Sequence, residues 1–266
     1  MILNGDDPNI AALGPAPWTR IVRVGVGEGC DVRIADFNED PSGSRFRLGW
    51  RGQPWTDVEW GLPGLYNARN AAMAATAAGL MLATPPGSGP IAESPVALEL
   101  GPLSRFRGVR RRQEVLVQSA GLVVIEDFGH HPTALEETLR SARARYPRSR
   151  ITAVFEPRSN TARTKALQPE FIRALARADE VYIGAVSRSE RLRPEERFDS
   201  EGVAKALASQ GIDASAHSAN HVLLERLVER TLAARAKHER LVIFFSNGSF
   251  DGITADFAAQ ARQTAP

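Results

Sequence analysis

The sequence predicts an α/β protein in two parts: a mostly parallel sheet with helices on both faces in its C-terminal half, preceded by a small antiparallel sheet and a helix. Three observations carry this. From about residue 123 onward, apolar runs of strand length alternate with helical stretches, the rhythm of parallel strands joined by crossover helices. Before residue 62, short alternating runs lie too close together for helices between them, so neighbouring strands are expected to run antiparallel. A basic segment without apolar periodicity, residues 101–112, separates the two regimes; the parts are taken as 1–106 and 107–266.

Each element has its own local reason. Residues 20–24, 31–34 and 45–48 alternate apolar and polar side chains, glycines separate the first two, and 52–54 reads as the turn after the third. Residues 67–82 are rich in alanine and methionine with no internal proline, a helix signature. Residues 84–90, with prolines and glycines, end that helix in a loop. Residues 114–117 and 123–127 form a hairpin around 119–121. Strands follow at 151–155, 181–183 and 241–245, with helices at 134–146, 170–178, 201–210 and 221–236. No internal repeat and no low-complexity tail interrupts the pattern.

Composition removes several classes of function. With 43% hydrophobic and 24% charged residues the chain is neither disordered nor a disulfide-stapled mini-domain. A single cysteine, Cys30, forms no internal disulfide and fits a reducing compartment. The first residues have no basic stretch followed by an apolar one, and no apolar run approaches the ~18 residues of a membrane span. A cytoplasmic location without membrane partners is therefore expected. A net charge of +2 does not demand a polyanion, so nucleic acid is not an expected partner. Only Lys165, Lys205 and Lys237 are lysines, and none follows a glycine, so the Gly-Lys pair of a phosphate-cradling P-loop is absent from these 266 residues. The glycines at 25, 27 and 29 lack the third glycine of a dinucleotide fingerprint, because Cys30 stands there and a strand follows; they read as a turn.

Three polar loops attract attention because each follows a strand of the same sheet: 127–133 (Asp-Phe-Gly-His-His-Pro-Thr), 156–161 (Glu-Pro-Arg-Ser-Asn-Thr) and 246–252 (Ser-Asn-Gly-Ser-Phe-Asp-Gly). Any one of them reads equally as an ordinary turn. Together they would line the edge where open α/β sheets bind ligands, with backbone N–H groups and Arg158 available for a carboxylate or phosphate. His130 and His131 suggest a metal, yet neighbours on an extended chain point to opposite sides and no cysteine or carboxylate cluster accompanies them. Residues 105–112 hold five arginines in eight positions, either a solvated basic linker or an anion-facing hinge.

Several of these strings resemble one family. Residues 64–72 (Gly-Leu-Tyr-Asn-Ala-Arg-Asn-Ala-Ala) resemble the Gly-x-His-Asn-x-x-Asn segment of the Mur ligases, the ATP-dependent amide ligases of peptidoglycan assembly. Residues 106–112 resemble their linker into the C-terminal domain, and 127–133 the aspartate motif that opens it. The strings 156–161 and 246–248 resemble the branch of murein peptide ligases, which join UDP-N-acetylmuramate to recycled L-alanyl-γ-D-glutamyl-meso-diaminopimelate through an acyl phosphate. The L-alanine-adding branch usually has a His-Arg-containing loop where Arg158 to Thr161 stand here.

The resemblance implies a partial Mur central domain over 1–106 and a Rossmann-like C-terminal domain over 107–266. It implies ATP and magnesium as cofactors, and UDP-N-acetylmuramate and a muropeptide as partners. Asn67 and Asn70 would lie near adenine, Arg112 would reach the nucleotide, and Asp127 would take the ribose hydroxyls. His130, His131, Arg158, Ser159, Asn160, Thr161, Ser246 and Asn247 would hold the incoming peptide. Tyr66 departs from the family's usual histidine but keeps a ring. In the family, the UDP-binding domain, the P-loop lysine and the magnesium-binding Glu and His precede the stretch resembling residues 3–8. The chain is therefore expected to be a ligase without its N-terminal part, inactive alone, with a separate N-terminal half as a possible partner. A non-catalytic muropeptide- or nucleotide-binding module is the alternative expectation.

Overall fold

The computed structural model describes residues 1–14, 16–84, 91–232 and 239–264. The chain divides into two compact units, Met1–Gly108 and Val109–Pro266. In the first, β1 (Ile2–Asn4), α1 (Pro8–Ala11), β2 (Val22–Gly25), β3 (Val32–Asp40), β4 (Gly43–Trp50), β5 (Gln53–Trp60) and α2 (Leu65–Leu82) follow in order. The strands form one sheet, β1-β2-β3-β4-β5.

That sheet is mixed, which corrects the antiparallel expectation. β3, β4 and β5 are antiparallel, but β1, β2 and β3 run parallel. The turn after β2 makes this possible without a helix. Asp6 accepts the N–H groups of Val26 and Gly27 at 3.0 and 3.1 Å, and Asp31 accepts that of Arg23 at 2.9 Å, so the chain doubles back beside β2 and enters β3 with Val32 opposite Val24. The β4–β5 turn is Arg51–Gly52, with φ of +47° and +83°, not 52–54. Pro54 already belongs to β5, where an edge strand and a register shift tolerate a residue without an N–H.

α2 starts at Leu65 rather than 67 and buries Ala68, Ala71, Ala72 and Ala75 against Val24, Ile34, Leu48 and Trp50. Small side chains at this spacing bring the helix close to the sheet. A Cβ on Gly79 would stand 2.6 Å from the Pro95 carbonyl, so the chain crosses the helix there. The loop expected over 84–90 lies outside the described residues from 85 onward.

The second unit contains β6 (Glu114–Ser119), β7 (Leu122–Asp127), α3 (Pro132–Arg145), β8 (Arg150–Phe155), α4 (Gln168–Leu175), β9 (Glu180–Ile183), α5 (Ser200–Ala208), β10 (Asp213–Ala216), α6 (Asn220–Leu232), β11 (Arg240–Phe245) and α7 (Ile253–Gln263). The sheet order is β10-β9-β8-β11-β7-β6, parallel throughout except for the β6–β7 hairpin. Helices cover both faces, as expected. Leu241, Ile243 and Phe245 of β11 face the core completed by α3, α4 and α5; Val242 and Phe244 face the one completed by α6 and α7. β10 and α7 are additions to the expected elements, and residues 233–236 of the expected fourth helix lie outside the described ones. No helix among the described residues is long and apolar enough to cross a membrane.

The chain leaves β7 by α3, passes to β8, and continues outward through β9 and β10. It then returns to insert β11 between β7 and β8. The carboxyl ends of β7, β11 and β8 thus stand side by side at a switch in strand order. At the opposite edge, the buried carboxylate of Glu180 accepts hydrogen bonds from Thr152 (3.0 Å), Tyr182 (3.1 Å) and Arg240 (3.2 Å). Burial beside that carboxylate pushes the Tyr182 phenol well up from its ordinary value.

With its own two-sided core, residues 107–266 expressed alone should melt in a single cooperative transition by circular dichroism. A featureless melt would show that the unit depends on the rest of the chain.

Candidate functional site

Backbone pairing continues past the strand ends of the second unit. The N–H of Glu156 donates to Phe245 O at 3.0 Å, and that of Ser246 to Asp127 O at 3.1 Å, so the loops after β7, β8 and β11 start level with one another. Glu156, 2% exposed, sits among them. Ser246 Oγ donates to its carboxylate and accepts the Gly248 N–H at 2.9 Å, while Arg158 lies 3.5 Å away. Burial pushes the Glu156 carboxyl up; Ser246 and Arg158 pull it down. Arg158 also lies against Gly248, where a Cβ would stand 2.1 Å from its Nε, so a side chain at 248 would have to displace the arginine. Arg158 is thus held within the loop structure rather than presented freely to a ligand.

Arg111 ties the interdomain segment to this edge. It pairs with Glu126 at 2.7 Å and donates to the carbonyls of Ser246 (3.0 Å) and Gly248. Its guanidinium and that of Arg112 lie 5.2 and 5.3 Å from the centre of the Phe128 ring. Arg112 forms no ion pair among the described residues. Asp127, 3% exposed, accepts the N–H groups of Gly129 (2.6 Å) and Gln113 (3.0 Å). Burial pushes its carboxyl up, against those two bonds and Arg112.

His130 Nδ1–H donates to Phe128 O at 2.9 Å, which leaves Nε2 as the other ring position. His131 caps α3, its Nδ1 accepting the Thr133 N–H at 3.4 Å, with Pro132 as the first helical residue. Both residues nevertheless line one cavity, contrary to the opposite-sides expectation. Among the described residues no group of three or more His, Cys, Asp or Glu could hold a metal ion.

The cavity measures about 460 Å³. His130, His131, Arg158, Ser159, Asn160, Thr161 and Asn247 line it, while Ser246 lies behind, bonded to Glu156. Sequence reasoning missed Arg163, Ser187 and Arg188, which complete the wall. The signal was available: residues 185–188 follow β9 at the same sheet edge. No carboxylate lines the cavity. Arg163 Nε and Asn247 Oδ1 are buried without hydrogen-bond partners.

In the first unit, Asn67 and Asn70 lie one turn apart on α2. Asn67 Nδ2 donates to Pro63 O at 2.7 Å and Asn70 is exposed; between them Arg69 pairs with Asp6 at 2.8 Å.

Residues 111–248 match the profile of the Mur ligase glutamate ligase domain. The chain belongs to the Mur ligase family. The UDP-N-acetylmuramate–L-alanine ligase of Acidithiobacillus ferrooxidans is 34% identical to it over 217 residues, 79% of this chain and 44% of that protein. The protein of the same name from Chlorobaculum tepidum is 33% identical over 259 residues, 96% and 50% of the two. This Mur ligase chain thus spans about half the length of the curated relatives it matches. The crystal structure of the UDP-N-acetylmuramate–alanine ligase of Thermotoga maritima shares its fold with a TM-score of 0.68 at 18% identity, covering 99% of this chain and 51% of that one. A murein peptide ligase of Psychrobacter arcticus does so at 0.63 and 24%, covering 97% and 50%. At these identities the likeness is one of fold.

The raised Glu156 carboxyl has a consequence for stability. In the unfolded chain it loses its proton near the ordinary value of 4.5, and in the folded protein only at higher pH. Between the two the folded state binds the extra proton, so this contribution is full below the ordinary value and is lost as pH rises through the folded one. Glu156→Gln removes the titration. Thermal melts of both proteins from pH ~4 to ~7 should show the variant gaining on the parent as pH rises; a constant gap would mean the carboxyl is not shifted.

Proposed function

We propose that this chain carries the acceptor site and part of the nucleotide site of an ATP-dependent ligase joining UDP-N-acetylmuramate to L-alanyl-γ-D-glutamyl-meso-diaminopimelate. The cavity at the switch edge carries the reading: its charged lining is cationic, with histidines and amides beside the arginines and no carboxylate. A tripeptide bearing several carboxylates suits that lining, whereas free L-alanine offers a single one.

In the proposed reaction a muramate carboxylate oxygen bonds to the γ-phosphorus of ATP, the bond to the β–γ bridging oxygen breaks and ADP leaves. The amine of the peptide's L-alanine attacks the acyl carbon, a C–N bond forms, the C–O bond to phosphate breaks, phosphate leaves with the electron pair, and the amine loses a proton. The acceptor residues here hold the carboxylate-bearing end of the peptide and leave its amine as the free end. Holding a nucleophile at a fixed place replaces a bimolecular encounter with an oriented one. For the nucleotide, Arg112 offers a guanidinium without an ion-pair partner among the described residues, and Asn70 an exposed amide. Asp127 retains one lone-pair site on each oxygen beyond its two backbone bonds, enough for ribose hydroxyls. The reaction also needs a phosphate loop and magnesium ligands, and the described residues supply neither.

A second reading, L-alanine as the acceptor, has the names of the curated relatives in its favour. Calorimetric titration separates the two. The tripeptide should bind at least ~100-fold more tightly than L-alanine; the reverse order would favour the second reading. Mixed with ATP, magnesium, UDP-N-acetylmuramate and tripeptide, the 266-residue chain should release phosphate only at background, because it has no Gly-Lys loop. Turnover above background would overturn that assignment of parts.

A further inference from the structure

We infer that Asn247–Gly248 is a latent deamidation site in the cavity wall, kept unreacted by the Ser246 hydroxyl. When that hydroxyl lets go, the wall converts one of its own amides into a carboxylate.

Two asparagines of this chain precede glycine, Asn4 and Asn247. Glycine has no Cβ to obstruct its nitrogen, so in a free chain that nitrogen closes readily onto the preceding side chain. The Gly248 nitrogen attacks Asn247 Cγ, an N–C bond forms and the bond from Cγ to the amide nitrogen breaks. Ammonia leaves with the proton that the Gly248 amide has lost. Water then adds to either carbonyl of the succinimide ring, and the ring C–N bond at that carbonyl breaks. Residue 247 becomes aspartate or isoaspartate, and a proton passes to the solvent.

Three features of the folded loop oppose the first step. The Gly248 N–H donates to Ser246 Oγ at 2.9 Å, and Ser246, 2% exposed, is itself bonded to Glu156. A proton held there is shielded from any base in solution, and the nitrogen must break that bond before it can attack. The backbone on each side is also fixed. Arg111 donates to the carbonyls of Ser246 (3.0 Å) and Gly248, and Arg158 lies against Gly248. Closure of the ring needs this segment to swing toward the side chain. Finally, attack puts negative charge on Asn247 Oδ1, which is buried without a hydrogen-bond partner. No donor there steadies the developing oxyanion.

Asn4–Gly5 is guarded in another way. The Gly5 N–H donates to Val24 O at 2.8 Å, backbone to backbone, where β1 runs beside β2. No side-chain truncation deletes either partner of that bond, whereas Gly248 depends on a single hydroxyl. The chemical outcome also differs. The cavity lining holds arginines, histidines and amides but no carboxylate, and deamidation at 247 places one among those cations. In the isoaspartyl product the main chain gains a carbon, which moves Gly248 off the partners that held it.

The test incubates the 266-residue chain at mildly alkaline pH, folded and in urea. Mass spectrometry reads the gain from replacing NH with O in two tryptic peptides. One is 241–262, where Asn247 is the only asparagine; the other is 1–20, where fragment ions locate Asn4. Urea should expose both sites, and folding should slow Asn247 by at least about tenfold. Ser246→Ala should speed Asn247 about tenfold over the folded parent and leave Asn4 unchanged. Ser246→Thr keeps a hydroxyl and should stay near the parent; melting curves show that each variant is folded. Hydrogen exchange on the parent needs no variant, and the Gly248 N–H should be protected there. Four results would each overturn the inference: Asn247 reacting as fast folded as in urea, a Ser246→Ala rate equal to the parent's, an equal rise at Asn4, or a freely exchanging Gly248 N–H.

Discussion

Glu156 lies where water does not reach, between the loops after β8 and β11, and its charge has to be met on the spot. Ser246 donates to it, Arg158 stands beside it, and Ser246 in turn receives the Gly248 N–H. A buried carboxylate satisfied in this way is worth little as net stability, because desolvation offsets much of the attraction. What it confers is geometry. The same few atoms set where Arg158 lies, what a side chain at 248 would displace and how the β11 loop departs. Arg111 extends the arrangement by holding the carbonyls of Ser246 and Gly248 from the other side.

The parts of the structure legible in the sequence were those where one physical signal dominates. Apolar runs such as 151–155 and 241–245 are buried on both faces, so they read as strands without alternation. The hairpin at Ala120–Gly121 and the polar loops after three strands declared themselves by composition. β10 did not, because Asp-Ala-Ser-Ala contains no β-branched or aromatic residue and pairs on one side only. The direction of β1 and β2 was also hidden. The turn after β2 is held by Asp6, twenty residues from the N–H group of Val26 that it accepts, and no local window contains that bond.

For the candidate site the lesson is similar. The strings at 127–133, 156–161 and 246–248 located the right edge and most of the cavity wall. They did not say which cation is free. Arg158 looks like the anion-binding residue until its neighbours are seen, and only three-dimensional pairing distinguishes an answered charge from an unanswered one. Arg188 lies outside every string and reaches the wall through a left-handed backbone position that no composition rule announces.

The place of β11 has a consequence for how the protein is made. Its six residues pair on one side with β7 and on the other with β8, yet it is the last strand among the described residues. During synthesis, β7 and β8 leave the ribosome long before the strand that separates them. For that interval their facing edges stay unpaired, and pairing with each other would be an off-pathway choice. The sheet therefore cannot settle until residue 245 has emerged, and translation stalled before that point leaves a nascent chain with exposed strand edges, a substrate for chaperones rather than a shorter folded domain.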